Sequence, residues 1–169
     1  EKGLPRPVTL IFQPAEEGGA GGEKMVEAGC LDGRILGPPV DEVFAIHGWP
    51  SHPVNTLASR PGPIMAAADS FAITITGRGC HAAMPHESRD PIVAAAAVVG
   101  ALQQVASRNV GPNDAVVLSV TQIHGGTTHN IIPPDVTLAG TIRALKPETR
   151  ALAEQRLYDI THAVAKAHQ

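Results

Sequence analysis

Residues 70–79, "SFAITITGRG", alternate strictly: Phe71, Ile73 and Ile75 fall on one face, and Ala72, Thr74 and Thr76 on the other. Successive side chains of a strand point to opposite faces, so the pattern predicts a strand with one face buried and one in water. Such a strand suits an antiparallel sheet, because parallel sheets are covered on both sides. The cover for the apolar face follows at once in the chain. "DPIVAAAAVVGALQQVASR" predicts a helix over about 91–107, with Asp90 as N-cap and Pro91 at the first helical position. "AVVLSVTQI" (115–123) and "VTLAGTIRAL" (136–145) read as further strands of the same antiparallel sheet, joined through "HGGTTHNIIPP". A second helix is predicted over about 147–167, with Leu157, Ile160, Val164 and Ala167 along one stripe. The order β-α-β-β-α is that of the split βαβ, ferredoxin-like sandwich, short of one final strand.

Before Ala67 the pattern is different. "PVTLIF" (7–12) and "DEVFAIHG" (41–48) read as strands buried on both faces, as in a parallel sheet, and "NTLASRPGP" as a third, interrupted by proline. "GGEKMVEAGCLDG" predicts a short helix with Met25, Val26 and Ala28 inward, closed by Gly29 or Gly33. The expectation is therefore α/β plus α+β: part of a mixed-sheet catalytic domain over 1–67, then a second domain over 68–169. The opening "EKGLPRP" has neither an initiator Met nor a signal-peptide pattern, and the last residues lie inside a helical pattern, so the chain reads as a piece of a longer protein.

A net charge of −3 with eight histidines offers no basic face for nucleic acid. No run approaches the roughly 18–20 consecutive apolar residues of a membrane span. Two cysteines, Cys30 and Cys80, make no disulfide framework, which predicts a reducing, cytoplasmic setting.

Several residues could carry chemistry. Glu16 and Glu17 are adjacent carboxylates at the end of an apolar run, suited either to the positive end of a helix or to a metal site. His47 ends "FAIHG", as a structural histidine or as a metal ligand in a cleft. Two such ligands are too few for a catalytic metal, which needs at least three. In "GRGCHAAMPH", His81 is either a donor to a substrate oxygen, presented by a flexible loop, or a solvated turn residue. A Cys80–His81 nucleophile–base pair is disfavoured, since neighbours in a strand point apart. Asn130 either caps its turn or serves a ligand. Arg143 shares the Thr137–Ala139–Thr141 face, where it either stays solvated or forks a ligand carboxylate.

"QPAEEGGAGGEKMVEAG", "AIHGWP", "GRGCHAAMPHESRDPIVAAAAVV" and "GGTTHNIIPPDVTLAGTIRAL", in that order, resemble the metal-dependent aminoacylase/carboxypeptidase superfamily. The nearest subgroup is that of hippurate hydrolases and indole-acetyl-amino-acid amidohydrolases. The resemblance implies a metallopeptidase-like catalytic domain carrying a ferredoxin-like lid through which the protein forms a homodimer. It implies Glu16 as general base, Glu17 and His47 as ligands in a site for two divalent ions (zinc or manganese, with nickel or cobalt as options), and His81 as the oxyanion donor reaching a partner's site. Asn130 and Arg143 would hold the carboxylate end of an N-acyl amino acid or small peptide. The upstream His-x-Cys-Gly-His-Asp type segment and a further C-terminal ligand histidine do not occur here, so the segment alone is expected to be inactive. The competing expectation is a non-catalytic dimerisation or ligand-sensing α+β module.

Overall fold

The computed structural model describes residues 6–168, which divide into two compact units between Thr56 and Leu57. In the first unit the regular element among the described residues is helix α1, Gly21–Ala28. It stops at Gly29, whose φ of 96° is left-handed and whose N–H turns back to the carbonyls of Met25 and Val26. Gly21, Gly29 and Cys30 are buried, while Val26 and Ala28 of the predicted inward face are exposed and Met25 is half-buried.

The three strands predicted in 7–12, 41–48 and 55–63 do not form. These runs have no strand pairing, and most of their apolar side chains are exposed: Phe12 and Phe44 are each 86% exposed and Ile46 89%. The physical reason is that a strand buried in a parallel sheet takes its hydrogen bonds from neighbours on either edge. No described residue supplies them.

The second unit is built around three antiparallel strands, β1 (Ala67–Thr76), β3 (Val116–His124) and β5 (Asp135–Ala144), in the order β1-β5-β3. The β1–β5 register runs from Ala67 opposite Ala144 to Thr76 opposite Asp135, and a bulge interrupts β3 between Val120 and Gln122. Gly140 sits where the three strands are most crowded. A Cβ there would come within 2.0 Å of the Ser119 carbonyl oxygen and 2.5 Å of the Phe71 ring.

Helices α2 (Pro91–Leu102) and α3 (Pro147–Ala167) cover one face. Asp90 caps α2 as predicted, its Oδ1 accepting from the N–H groups of Ile92 (2.9 Å) and Val93 (3.3 Å). The alternation in β1 does what it promised: Ile73 and Ile75 join Val98, Leu102, Leu118, Val136, Leu138, Ala153 and Ile160 in the core. Beyond α2 the chain continues as a π turn, Val105–Asn109. Pro91–Asn109 is long and apolar enough to cross a membrane by length and composition, contrary to the sequence expectation. Its Ala94, Ala95, Val98, Leu102 and Val105 are buried against the sheet, the position of a core helix.

Among the described residues, β1 pairs only with β5. A cavity of about 640 Å³ lies along β1, lined also by Leu157, Tyr158 and Thr161 of α3. The Thr161 Oγ1 is buried there without a partner among the described residues.

Two short strands extend this unit. β2 (Cys80–His81) pairs with β4 (Ile131–Ile132), placing His81 opposite Ile131. The stretch between β1 and β2 is not a loose loop. Arg78 bridges to Arg89, and glycines permit the close approach: a Cβ on Gly77 would meet the Arg89 carbonyl oxygen at 2.0 Å, and one on Gly79 the Ile132 oxygen at 2.6 Å.

Candidate active site

Glu16 and Glu17 are exposed and precede α1 by a full turn of backbone, so they do not cap it; Glu23 is the acidic residue of its first turn. Instead they lie in a tight, strained segment. Ala15 (φ 52°) and Ala20 (φ 53°) adopt left-handed backbone on either side of the pair, a conformation costly for a residue with a Cβ. The Gly21 N–H reaches the Ala15 carbonyl at 3.5 Å, and a Cβ at Gly21 would overlap the Pro14 carbonyl at 1.7 Å. Strain of this kind concentrates at sites where a side chain must be held in one direction.

His47 is exposed, and its Nδ1 lies 2.7 Å from the Gly48 carbonyl oxygen. A carbonyl only accepts, so Nδ1 is the donor in this contact, and the neutral ring has its lone pair on Nε2. That is the arrangement in which metal-bound histidines are held by a carbonyl on the other ring nitrogen. The Trp49 ring stands edge-on to the imidazole, 5.9 Å between centroids. Glu17 carboxylate and His47 Nε2 are chemically fit as metal donors, but among the described residues no group of three His, Cys, Asp or Glu side chains is placed to hold an ion.

In the second unit, His81 and Asn130 are brought together. Beside the β2–β4 pairing, the Ala82 N–H donates to the Asn130 carbonyl at 2.9 Å. The Ala83 N–H donates to His81 Nδ1 at 3.1 Å. Here Nδ1 must be unprotonated, so the neutral ring carries its proton on Nε2 and is a donor there. The Thr128 hydroxyl donates to Asn130 Oδ1 at 2.9 Å. Cys80 Sγ points to the carbonyls of His81 and Met84, 3.2 Å from each, which occupies the thiol without a catalytic partner.

Arg143 is not brought to this pair. It stands near the other end of β5, opposite Ala68 and Val117, about 27 Å from Asp135 at ~3.4 Å per strand residue. Its Nη1 donates to Thr141 Oγ1 at 2.6 Å, and that hydroxyl donates to the Asp69 carbonyl at 2.8 Å. Close by, Arg150 grips the Asp69 carboxylate through Nε (2.7 Å) and Nη2 (2.5 Å). The Arg150 hydrogen bonds hold the Asp69 carboxyl below its usual range, and the Arg143 charge adds to the effect. At this end of the sheet Arg143 stands beside the Asp69–Arg150 pair, with the Glu154 charge also acting on Arg150. The local hydrogen bonds at His47, His81 and Asn130 were missed by sequence reasoning.

Residues 67–169 match the family described as the peptidase dimerisation domain of the M20 type. The chain belongs to this M20 peptidase family. Outside the dimerisation domain the likeness continues. The chain is 42% identical over 160 residues to an N-acetyl-L-cysteine deacetylase of Bacillus subtilis (strain 168), covering 95% of this chain and 37% of that protein. It is 41% identical over 162 residues to IAA-amino acid hydrolase ILR1-like 2 of Arabidopsis thaliana, covering 96% and 35%. Among solved structures, the Bacillus subtilis YXEP protein, described as a dinuclear metal binding peptidase from the M20 family, superposes with a TM-score of 0.67 at 32% identity, covering 93% and 36%. A structure from methicillin resistant Staphylococcus aureus reaches a TM-score of 0.83 at 30% identity, covering 92% and 40%. The M20 chain thus spans about two fifths of the length of the curated relatives it matches.

Proposed function

We propose that the whole protein bearing this segment is a metal-dependent amidohydrolase that cleaves the amide bond of N-acyl amino acids, working as a homodimer through the dimerisation domain. The observation that carries the reading is a pair of opposite backbone contacts: a carbonyl oxygen 2.7 Å from His47 Nδ1 and an N–H 3.1 Å from His81 Nδ1, which assign the neutral rings opposite tautomers. His47 keeps a lone pair on Nε2, as a ligand requires, whereas His81 keeps a proton on Nε2, as an oxyanion donor requires. The cytoplasm is the compartment that fits two unpaired thiols.

Glu17 and His47 would hold part of a two-ion site for zinc or manganese, with nickel or cobalt as options and the remaining ligands coming from outside these residues. When bound, the ions supply Lewis-acid polarisation and a water that ionises near neutral pH. Glu16, held beside Glu17 by the strained loop, takes the proton from the attacking water and returns it to the leaving amine. His81 Nε2–H, from the partner subunit, donates to the oxygen of the attacked amide as it gains negative charge. Asn130 lies beside His81 and offers Nδ2–H to the substrate. Since Arg143 stands at the far end of β5 from the β2–β4 pair, one site takes His81 and Asn130 from one subunit and Arg143 from the other.

The test is to make Glu16→Gln and Glu17→Ala in the full-length protein and measure hydrolysis of N-acetyl-L-cysteine alongside bound metal. Glu16→Gln should lose about 10²–10⁴-fold in kcat with metal content retained, because a base is removed but no ligand. Glu17→Ala should lose both. Unchanged hydrolysis in Glu16→Gln would overturn the mechanism, and a metal-free wild-type protein would favour the ligand-sensing alternative.

A further inference from the structure

Among the described residues three non-glycine positions have a positive φ: Ala15, Ala20 and Asn55. Asparagine enters the left-handed region readily, whereas alanine is opposed there by its Cβ. Both alanines flank the Glu16–Glu17 pair. Glycine, which would relieve the strain, stands instead at 18, where φ is not positive. What alanine has and glycine lacks is a methyl group, and at 15 that methyl has a neighbour. A Cβ built on Gly19 or Gly21 would come 3.5 or 3.4 Å from the Ala15 Cβ, so the methyl lies against that part of the turn. Gly21 in turn sits so close to the Pro14 carbonyl that no Cβ fits between them. Glu16 itself is exposed, with no hydrogen-bond or ion-pair partner among the described residues. The backbone before it therefore sets the direction in which its side chain leaves the chain.

We infer that Ala15 is a positioning residue for Glu16: its methyl, set against the Gly19–Gly21 turn in left-handed backbone, confines the peptide that carries Glu16 to one orientation. The inference rests on the proposed role of Glu16 as base. A residue with a Cβ has only a narrow left-handed well, φ about 50–70°. Glycine in the same turn ranges over both halves of the map. Ala15→Gly therefore exchanges strain for freedom. Relief of the strain offsets the extra freedom of glycine in the unfolded chain, so stability is kept while the carboxylate loses its aim. Ala15→Ser keeps the Cβ and with it the narrow well.

The experiment compares wild type, Ala15→Gly, Ala15→Ser, Glu16→Gln and the double variant Ala15→Gly/Glu16→Gln in the full-length, metal-loaded protein. Hydrolysis of N-acetyl-L-cysteine, bound metal and melting temperature are measured on each. Ala15→Gly should lower kcat about tenfold with KM within about twofold, since a misplacement near 1 Å costs up to about a hundredfold. Its metal content should be unchanged and its melting temperature no lower than that of wild type. Ala15→Ser should keep kcat within about twofold. In the Glu16→Gln background Ala15→Gly should lower kcat no further, because the group it aims is already gone. A loss of the same size in that background, or one accompanied by lost metal or a lower melting temperature, would show a merely structural role and overturn the inference. So would a wild-type kcat in Ala15→Gly, and in either case the base reading survives as long as Glu16→Gln is inactive. If Glu16→Gln itself leaves kcat unchanged, both fail.

Discussion

The backbone N–H of Ala83 donates to Nδ1 of His81 at 3.1 Å, two residues away in the same turn. This single contact decides which ring nitrogen carries the proton in neutral His81, and so makes the ring a donor at Nε2. His81→Ala should lower kcat by roughly 30- to 1,000-fold, the effect of an oxyanion donor worth about 2–4 kcal/mol. His81→Gln, whose amide N–H can occupy the place of Nε2–H, should retain more activity than His81→Asn, whose shorter amide matches Nδ1. Steady-state kinetics on the three variants checks the order. Equal rates for Gln and Asn would remove the argument for a donor at Nε2.

Mixed dimers distinguish which subunit supplies each residue. Co-expressed Glu16→Gln and His81→Ala subunits should recover up to half of wild-type activity, because one composite site then holds an intact Glu16 and an intact His81. His81→Ala mixed with Arg143→Ala should also recover, since those residues come from different subunits in any one site. His81→Ala mixed with Asn130→Ala should not recover, as both sites then lack one of the two. Activity of purified heterodimers carrying two different affinity tags gives the readout. Failure of the second mixture alone would place Arg143 on the same side as His81.

The Asp69–Arg150 pair predicts an acid-dependent part of the stability. The Asp69 carboxyl is held below its unfolded value by Arg150. A depressed carboxylate stabilises the fold above the unfolded pKa, about 3.9, and loses that contribution as the pH falls through the lower folded value. Side chains 30% (Asp69) and 51% (Arg150) exposed keep the effect small. Asp69→Asn should therefore melt a few degrees below wild type at pH 7, with the gap closing toward pH 2–3. Thermal melts across that range are the check; a gap that persists at pH 2 would mean the loss comes from packing.

Two glycine substitutions should move stability in opposite directions. Gly140→Ala places a Cβ 2.0 Å from the Ser119 carbonyl, so β3 and β5 must separate. A loss of about 3 kcal/mol or more is expected, lowering the melting temperature by more than about 10 °C. Gly100→Ala meets nothing within 4 Å and lies inside α2, where alanine is the better helix former. It should gain about 0.5–1 kcal/mol. A destabilised Gly100→Ala would mean that this face of α2 is covered in the folded protein.

Local pattern determined the elements whose partners lie close in sequence. Strict alternation at Phe71–Thr76, the Asp90–Pro91 start and most of the α3 stripe encode their own placement, because antiparallel strands and amphipathic helices mark a buried face against a wet one; of the stripe, Ile160 is buried, Leu157 and Val164 are half-buried and Ala167 is exposed. The family resemblance was carried mainly by other segments, those around Glu16–Glu17, His47, His81 and Asn130. The runs at 7–12 and 41–48 were apolar enough to be strands, but a parallel strand exists only when neighbours supply its hydrogen bonds, and no described residue does. The folded backbone decided the contacts at Nδ1 of the two histidines, since Gly48 and Ala83 contribute backbone atoms that any residue type possesses and that no sequence pattern marks. It also separated Arg143 from Asn130. Sequence reasoning grouped them by their shared affinity for a carboxylate, whereas an extended strand rises about 3.4 Å per residue and carries its two ends to different places.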